Sequence, residues 1–379
     1  QAMAARVPAS IHMNPVLLKP QSETGAQIIV RGKVRGAADA RAYQALKAGL
    51  MDEVLESFAI TAKGSDLVLV EGAGSPAEIN LPGKDIANMG FATAADVPVI
   101  LVADIDRGGV IAAVVGTHAV ITEAHRDRVK GYIINKFRGD VTLFDDGLRE
   151  ITQRTGWQSM GIAPFFSDAA KLPAEDAMAL SNLNTRGTGP IKIAVPKLSR
   201  IANFDDLDPL NAEPDVDLGV IAPGSAIPGD TDLILLPGSK ATIADLAFLR
   251  EQGWDIDILA HHRRGGRILG ICGGYQMLGR TVADPDGIEG NTQFAQGLGL
   301  LNIDTVLSGE KSLGERSGQH AASGAPVHGY EIHLGQSDGP DRDRPFLTIN
   351  GAGEGACSQD DLVQGCYLHG LMAADGFRH

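Results

Sequence analysis

A cysteine stands at the centre of Gly270-Ile-Cys-Gly-Gly-Tyr-Gln276. The apolar run Arg267-Ile-Leu-Gly-Ile271 before it reads as a short buried strand, and Tyr275-Gln-Met-Leu-Gly279 after it can open a helix. A G-x-C-x-G turn between strand and helix holds a thiol at the tip of a tight bend. Small glycines there let backbone and substrate approach closely, and a helix N-terminus beside the sulfur favours thiolate, the nucleophilic form. Far downstream, His369 follows a short apolar stretch in Gly365-Cys-Tyr-Leu-His-Gly-Leu371. A cysteine elbow with a distant histidine suits an acyl-transfer pair assembled by the fold. A third element, Leu233-Ile-Leu-Leu-Pro-Gly-Ser-Lys240, is a strand running into a Pro-Gly turn whose backbone N–H groups can help to form an oxyanion hole. Each feature also has a plainer reading: a packed cysteine, a structural histidine, an ordinary strand-end turn.

Taken together, residues 190–379 resemble the class I, triad-type glutamine amidotransferases. The resemblance implies Cys272 as the nucleophile toward the side-chain amide of glutamine, His369 as general base and acid, and Gly238 with Gly273 near the oxyanion. It puts Gln276 where that family has a glutamine-contacting residue. One position departs: the family's glutamate two residues after the histidine is Leu371 here. The third triad member is then absent or supplied from elsewhere, with Glu331 or a backbone carbonyl as alternatives.

The elements that must carry such a site follow from the hydrophobic pattern. Asp66–Val70, Pro98–Ala103 and Gly131–Asn135 are short, rich in β-branched residues and bounded by turn formers, and so predict strands. Ala112–Arg128 and Asp146–Arg154 predict the helices between them. Strands alternating with helices imply right-handed βαβ units and a mostly parallel sheet covered on both faces. The polar, turn-rich stretch Leu180–Pro190 predicts a linker, after which Ile191–Val195 restarts the pattern. This gives two domains, 1–185 and 190–379. Ser308–Ala325, polar and rich in glycine, predicts a mobile loop.

In an open α/β sheet, ligands gather beyond the carboxyl ends of the strands. There the first half places Glu71-Gly-Ala-Gly-Ser-Pro-Ala-Glu78, Asp104-Ile-Asp-Arg-Gly-Gly109 and Asn135-Lys-Phe-Arg-Gly-Asp140. Glycine and aspartate after a strand usually make a turn; three such segments on one rim favour a site. Glu71 can hold Mg²⁺, a hard cation that prefers oxygen, and Arg107, Lys136 and Arg138 can hold phosphate or carboxylate groups.

These blocks, with Met13–Pro20, Gly25–Gln27, Asp85–Gly90 and Gly329-Tyr-Glu-Ile-His333, resemble the cobyric acid synthase family over essentially the whole chain. The resemblance implies a P-loop, dethiobiotin synthetase-like parallel-sheet domain followed by the amidotransferase-like α/β domain. It implies Glu71 at a Mg²⁺-binding position, Asn135 at an adenine contact and Glu78 close to the reacting carboxylate, with Arg107 and Lys136 toward ATP or substrate. The implied reaction is ATP- and glutamine-dependent amidation of the b, d, e and g carboxylates of adenosylcobyrinic acid a,c-diamide, an anionic corrinoid. One feature is missing: no G-x-x-x-x-G-K-[ST] phosphate loop occurs in the 379 residues. In the family it lies upstream of the block that opens this chain. The expectation is therefore a chain lacking its N-terminal phosphate-binding segment, and also its C-terminal end, and impaired in ATP use by itself.

Composition narrows the alternatives. A formal net charge of −14 and a pI near 5.1 disfavour nucleic acid as a partner. No window approaches the roughly 18 uninterrupted apolar residues of a membrane span. Three cysteines without C-x-x-C spacing argue against a disulfide framework or a zinc site, and a functional thiol fits a cytoplasmic location. Cys357 and Cys366 read as small buried apolar residues. Two other functions compete: amidation of another carboxylate, such as a cell-wall precursor, and a non-catalytic corrinoid- or nucleotide-binding module.

Overall fold

The computed structural model describes residues 1–20, 25–79, 85–171, 189–290 and 292–379. The chain divides into two compact units, Gln1–Leu172 and Pro173–His379. The expected linker falls almost wholly within 172–188, outside the described residues.

In the first unit, strands β1 (Val16–Pro20), β2 (Gly25–Val30) and β3 (Lys33–Asp39) form an antiparallel sheet, followed by α1 (Ala40–Lys63). After α2 (Met89–Ala94) come β4 (Val99–Asp104), β5 (Val129–Phe137) and β6 (Ser159–Pro164), all parallel in the order β4-β5-β6. Tyr132 and Ile134 of β5 are fully buried against Val114 and Ile151, and the Tyr132 hydroxyl donates to the Leu148 carbonyl at 2.9 Å. The helix expected over 112–128 is two helices, α3 (Val110–Val120) and α4 (Glu123–Arg128). Ile121 turns extended, and the Thr122 side chain caps the new helix by accepting from the His125 N–H. The third helix, α5 (Asp145–Thr155), agrees with expectation and closes on Gly156 in the left-handed region.

The strand expected at 66–70 does not form. Leu67, Leu69 and Val70 are exposed, and no strand among the described residues pairs with the segment. Apolar β-branched sequence makes a strand only when a neighbour takes up its N–H and C=O groups.

The second unit is built on a six-stranded sheet. Its strands are β7 (Ile191–Pro196), β8 (Val216–Ile221), β9 (Leu233–Leu236) and β10 (Arg267–Ile271), then β13 (Ala356–Cys357) and β14 (Val363–Cys366), in the order β13-β14-β10-β9-β7-β8. All pairs are parallel except β13 with β14. Central strands β9 and β10 are buried almost throughout, as unbroken apolar runs covered on both faces should be. Helices α6 (Thr242–Glu251) and α7 (Trp254–Arg263) bring Leu246, Leu249, Trp254 and Ile258 into the same core. Helix α8 (Gly273–Leu278) leaves β10 directly after Cys272.

A second sheet carries the long hairpin β11 (Asp304–His320) and β12 (Pro326–Asp338). The segment expected as a mobile loop at 308–325 is thus mostly strand. Its tip turns, while nine residue pairs from Lys311 to Gln319 of β11 with β12 satisfy a backbone whose composition alone suggested a loop. Beside β12 lies the two-residue strand β15 (Leu368–His369), with Tyr330 opposite His369 and Glu331 opposite Leu368.

Candidate active site

Cys272 occupies the corner between β10 and α8 with φ +52° and ψ −109°. A positive φ is costly for a side chain with a Cβ, and the surroundings enforce it. The Cys272 N–H donates to the Cys366 carbonyl at 2.8 Å, and the first turn of α8 is locked by the Gln276 N–H donating to the Cys272 carbonyl. Gly274 is required by contact: a Cβ there would lie 2.1 Å from the Leu236 carbonyl oxygen. The bend therefore presses α8 onto the end of β9 and leaves the thiol at the tip.

His369 comes to the thiol on β15. The two side chains are hydrogen-bonded, and the Cys272 thiol also faces the Ile332 carbonyl of β12 at 3.7 Å. The imidazole is 1 % exposed, and its Nδ1 donates to Asp206 Oδ2 at 2.7 Å. Asp206, itself 4 % exposed, takes a second hydrogen bond from the Gly370 N–H at 2.6 Å on Oδ1. It sits in the 3₁₀ turn Phe204–Leu207, 163 residues before the histidine. Burial opposes charge on the His369 ring, but the hydrogen bonds with Asp206 and Cys272 outweigh it and push the imidazole up to about 10. Tyr330 stacks on the ring with centroids 5.4 Å apart, and its hydroxyl bonds Asp205, whose carboxyl is raised by burial and by the neighbouring Asp206.

The orienting partner of His369 is therefore neither of the expected alternatives. Glu331 points to β11, where Oε2 accepts from Arg316 Nε at 3.1 Å and from Ser312 Oγ at 3.3 Å. The signal that marks Asp206 is faint: two adjacent aspartates set between Phe204 and Leu207, in a segment otherwise packed into the core.

Gly238 lies against the Cε1–Nε2 edge of the His369 ring. A Cβ on it would come 3.0 Å from His369 Cε1. Gly273 abuts Ser239, so the Pro-Gly turn and the start of α8 adjoin the thiol together. Gln276 also lies here, but its side chain is already engaged. Nε2 donates to the Leu334 carbonyl (3.0 Å) and the Tyr367 hydroxyl (3.3 Å), while Oε1 accepts from Thr242 Oγ1 (2.9 Å). It ties α6, α8 and β12 together behind the cysteine. Burial pushes the Cys357 thiol up to about 11 and raises Cys366 well above the usual thiol value. A cleft of about 540 Å³ elsewhere in this unit is lined by Arg280, Asp341, Arg344, His262 and Asp360, charges that pair among themselves or with Asp304.

In the first unit the expected rim residues fall at the ends of β4 and β5. Lys136 Nζ meets Asp104 Oδ2 at 2.8 Å and Arg138 Nε meets Asp106 Oδ1 at 2.9 Å, with the guanidinium also over the Phe165 ring. A phosphate would compete with a carboxylate for each cation. Asn135 Oδ1 accepts from the Lys136 N–H, and Arg107 is exposed. Glu71 and Glu78 are exposed in the segment after residue 70, with the Glu78 carboxylate lying over Gly74.

Comparison with known proteins agrees with both halves. Residues 192–377 match the CobB/CobQ-like glutamine amidotransferase domain, and residues 36–171 match an AAA domain. A cobyric acid synthase of Allorhizobium ampelinum is 61 % identical over 378 residues, covering 100 % of this chain and 78 % of that protein. Those of Rhizobium johnstonii and Caulobacter sp. are 60 % and 59 % identical over 100 % and 98 % of this chain and 78 % and 77 % of theirs. The chain belongs to the cobyric acid synthase family. Its fold is that of the family: a P-loop-type α/β unit followed by a glutamine amidotransferase α/β unit. As a member of that family it is a glutamine-hydrolysing amide ligase of cobalamin biosynthesis. No helix among the described residues is long and apolar enough to cross a membrane.

Proposed function

We propose that the second unit strips ammonia from glutamine through Cys272, His369 and Asp206, and that the first unit spends ATP to join that ammonia to carboxylates of a corrinoid. The observation that carries the reading is the buried line of thiol, imidazole and carboxylate at a strained strand–helix corner, in a chain of this family.

The steps follow from the protonation states. With the imidazole raised well above its ordinary value, a proton resides on His369 at neutral pH, beside the sulfur that must act as the thiolate nucleophile. The sulfur attacks the carboxamide carbon of glutamine, and the negative oxygen that forms is held by backbone N–H groups near Gly238 and Gly273. His369 gives its proton to the departing nitrogen, and ammonia leaves behind a γ-glutamyl thioester. The now neutral imidazole takes a proton from water, whose oxygen attacks the thioester; glutamate departs and the thiol is restored. Asp206 holds the Nδ1 proton throughout and so keeps Nε2 toward the sulfur. Gln276 serves by positioning, since its polar atoms are spent on Thr242, Leu334 and Tyr367.

In the first unit, the acceptor carboxylate must be activated, because a carboxylate has no good leaving group. Phosphoryl transfer from ATP makes an acyl phosphate, which ammonia displaces. Asn135 near the base, Arg107 and Lys136 near phosphate or substrate, and Glu78 near the acceptor are the residues we assign to this half. Among the described residues no three ligating side chains form a metal cage. Mg²⁺ needs none when phosphate oxygens and water complete its shell, and the exposed carboxylate of Glu71 fits that mode. When bound, the ion would neutralise phosphate charge. The substrate is then adenosylcobyrinic acid a,c-diamide and the product adenosylcobyric acid, made in the cytoplasm by four amidations at b, d, e and g.

The test follows the nitrogen. Full-length gene product supplied with amide-¹⁵N glutamine, ATP and the a,c-diamide should yield a corrinoid carrying four labelled amides. Cys272→Ser should lose glutamine-driven labelling but still use added ammonia. Labelled ammonia released with no amide formed on the corrin would overturn the synthase reading.

A further inference from the structure

The block Gly329-Tyr-Glu-Ile-His333 lies on β12 beside the cysteine corner. Past the point where β15 ends, the Ile332 and Leu334 carbonyls of this strand meet Cys272 and Gln276. Glu331 and His333, two residues apart on a strand, share one face. The His333 ring lies flat on Tyr367, with centroids 3.7 Å apart, and the Tyr367 hydroxyl in turn bonds Gln276. Both side chains are thus fixed within a residue or two of the sulfur's own contacts.

Their free atoms are of one kind. His333 Nδ1 sits 3.1 Å from the Gly335 carbonyl. A carbonyl only accepts, so Nδ1 carries the proton. Burial lowers the pKa of this imidazole, opposed by Glu331 and the Gly335 carbonyl and reinforced by His369 and Arg316, and so keeps the ring neutral. Nε2 is then a bare lone pair. Glu331 spends Oε2 on Arg316 and Ser312, while Oε1 takes no hydrogen bond among the described residues. The Arg316–Glu331 pair is neutral overall, so the unspent atoms decide what is recognised. A carboxylate oxygen and an imidazole nitrogen on one face, both acceptors, suit a group that has only donors.

We propose that Glu331 Oε1 and His333 Nε2 form the seat for the α-ammonium group of glutamine. The inference rests on the glutamine-hydrolysis reading above. It makes the pair a specificity device: an amide that lacks the α-ammonium would reach the cysteine without being held for attack.

The test compares three electrophiles on Cys272. One is 6-diazo-5-oxo-L-norleucine, which carries the α-ammonium. The second is its N-acetyl derivative, which does not, and the third is iodoacetamide, which reports the thiol alone. The wild-type protein should prefer the first over the second by about 10- to 100-fold, the size of a hydrogen bond to a charged group. Glu331→Gln and His333→Phe, the latter keeping a ring against Tyr367, should each cut that preference several-fold while leaving the iodoacetamide rate within about twofold. Variants that keep the full preference would overturn the seat, as would equal losses toward both diazo probes. A wild-type protein alkylated by iodoacetamide but by neither diazo compound would instead sink the glutamine reading itself.

Discussion

Asp206 is the carboxylate that holds the imidazole of His369. In the usual order of this amidotransferase class the carboxylate follows the histidine by two positions, and here that position is Leu371, fully buried. Asp206 reaches the same imidazole from the other end of the unit. Replacing it with asparagine removes the largest influence holding the proton on the ring and permits the wrong tautomer. Asp206→Asn should lower glutaminase kcat by about 10²–10⁴-fold, with little change in KM, as steady-state kinetics would register. The pH dependence has a definite sign. The imidazole is raised in the fold, to about 10, despite burial. Its protonation therefore stabilises the fold fully at pH below the ordinary histidine range, and that contribution fades as pH rises toward 10. In Asp206→Asn the fading should move to lower pH, visible in melting temperature against pH. Gly238→Ala should act differently: a methyl 3.0 Å from His369 Cε1 displaces the ring, so activity should fall while the melting temperature changes little. Cys272 and His369 were legible in the sequence because the residues around each carry its local geometry. Asp206 was not, because nothing within 163 residues of the histidine marks it; only the fold brings them together.

At the scale of elements, the site is a corner clamped between two sheets. Helix α8 starts hard against β9, and Gln276 fastens it to β12 and α6. Gly274→Ala would put a methyl into the Leu236 carbonyl, an overpacking that should cost about 1–3 kcal/mol or more in chemical denaturation and slow alkylation of Cys272. Gln276→Leu should leave the Leu334 carbonyl and two hydroxyls without their partner, a loss of about 1–3 kcal/mol, and should raise the KM for glutamine by loosening the hairpin. The strands and the elbow of the second unit were readable because buried parallel strands are continuous apolar runs closed by glycine. Residues 308–320 misled because exposed hairpin strands are polar, and pairing, not composition, makes them strands. Residues 66–70 misled in the opposite sense, having strand composition without a partner among the described residues.

For the molecule as a whole, two units with separate cores fit a division of labour in which one releases ammonia and the other activates its acceptor. The order of motifs made this architecture legible, since each strand end carries its own signature. At the rim of the first unit, Lys136 and Arg138 face Asp104 and Asp106, partners that lie 32 residues away in sequence and that the local motif does not reveal. Rapid quench of the protein with glutamine, followed by mass analysis of the peptide containing residue 272, should find a γ-glutamyl group on Cys272 that builds up within the first turnover and is lost on hydrolysis. Asp206→Asn should form it more slowly, and Cys272→Ser should form no thioester. Glutamine turnover with full activity in Cys272→Ser, or an adduct on Cys357 or Cys366 instead, would contradict the account.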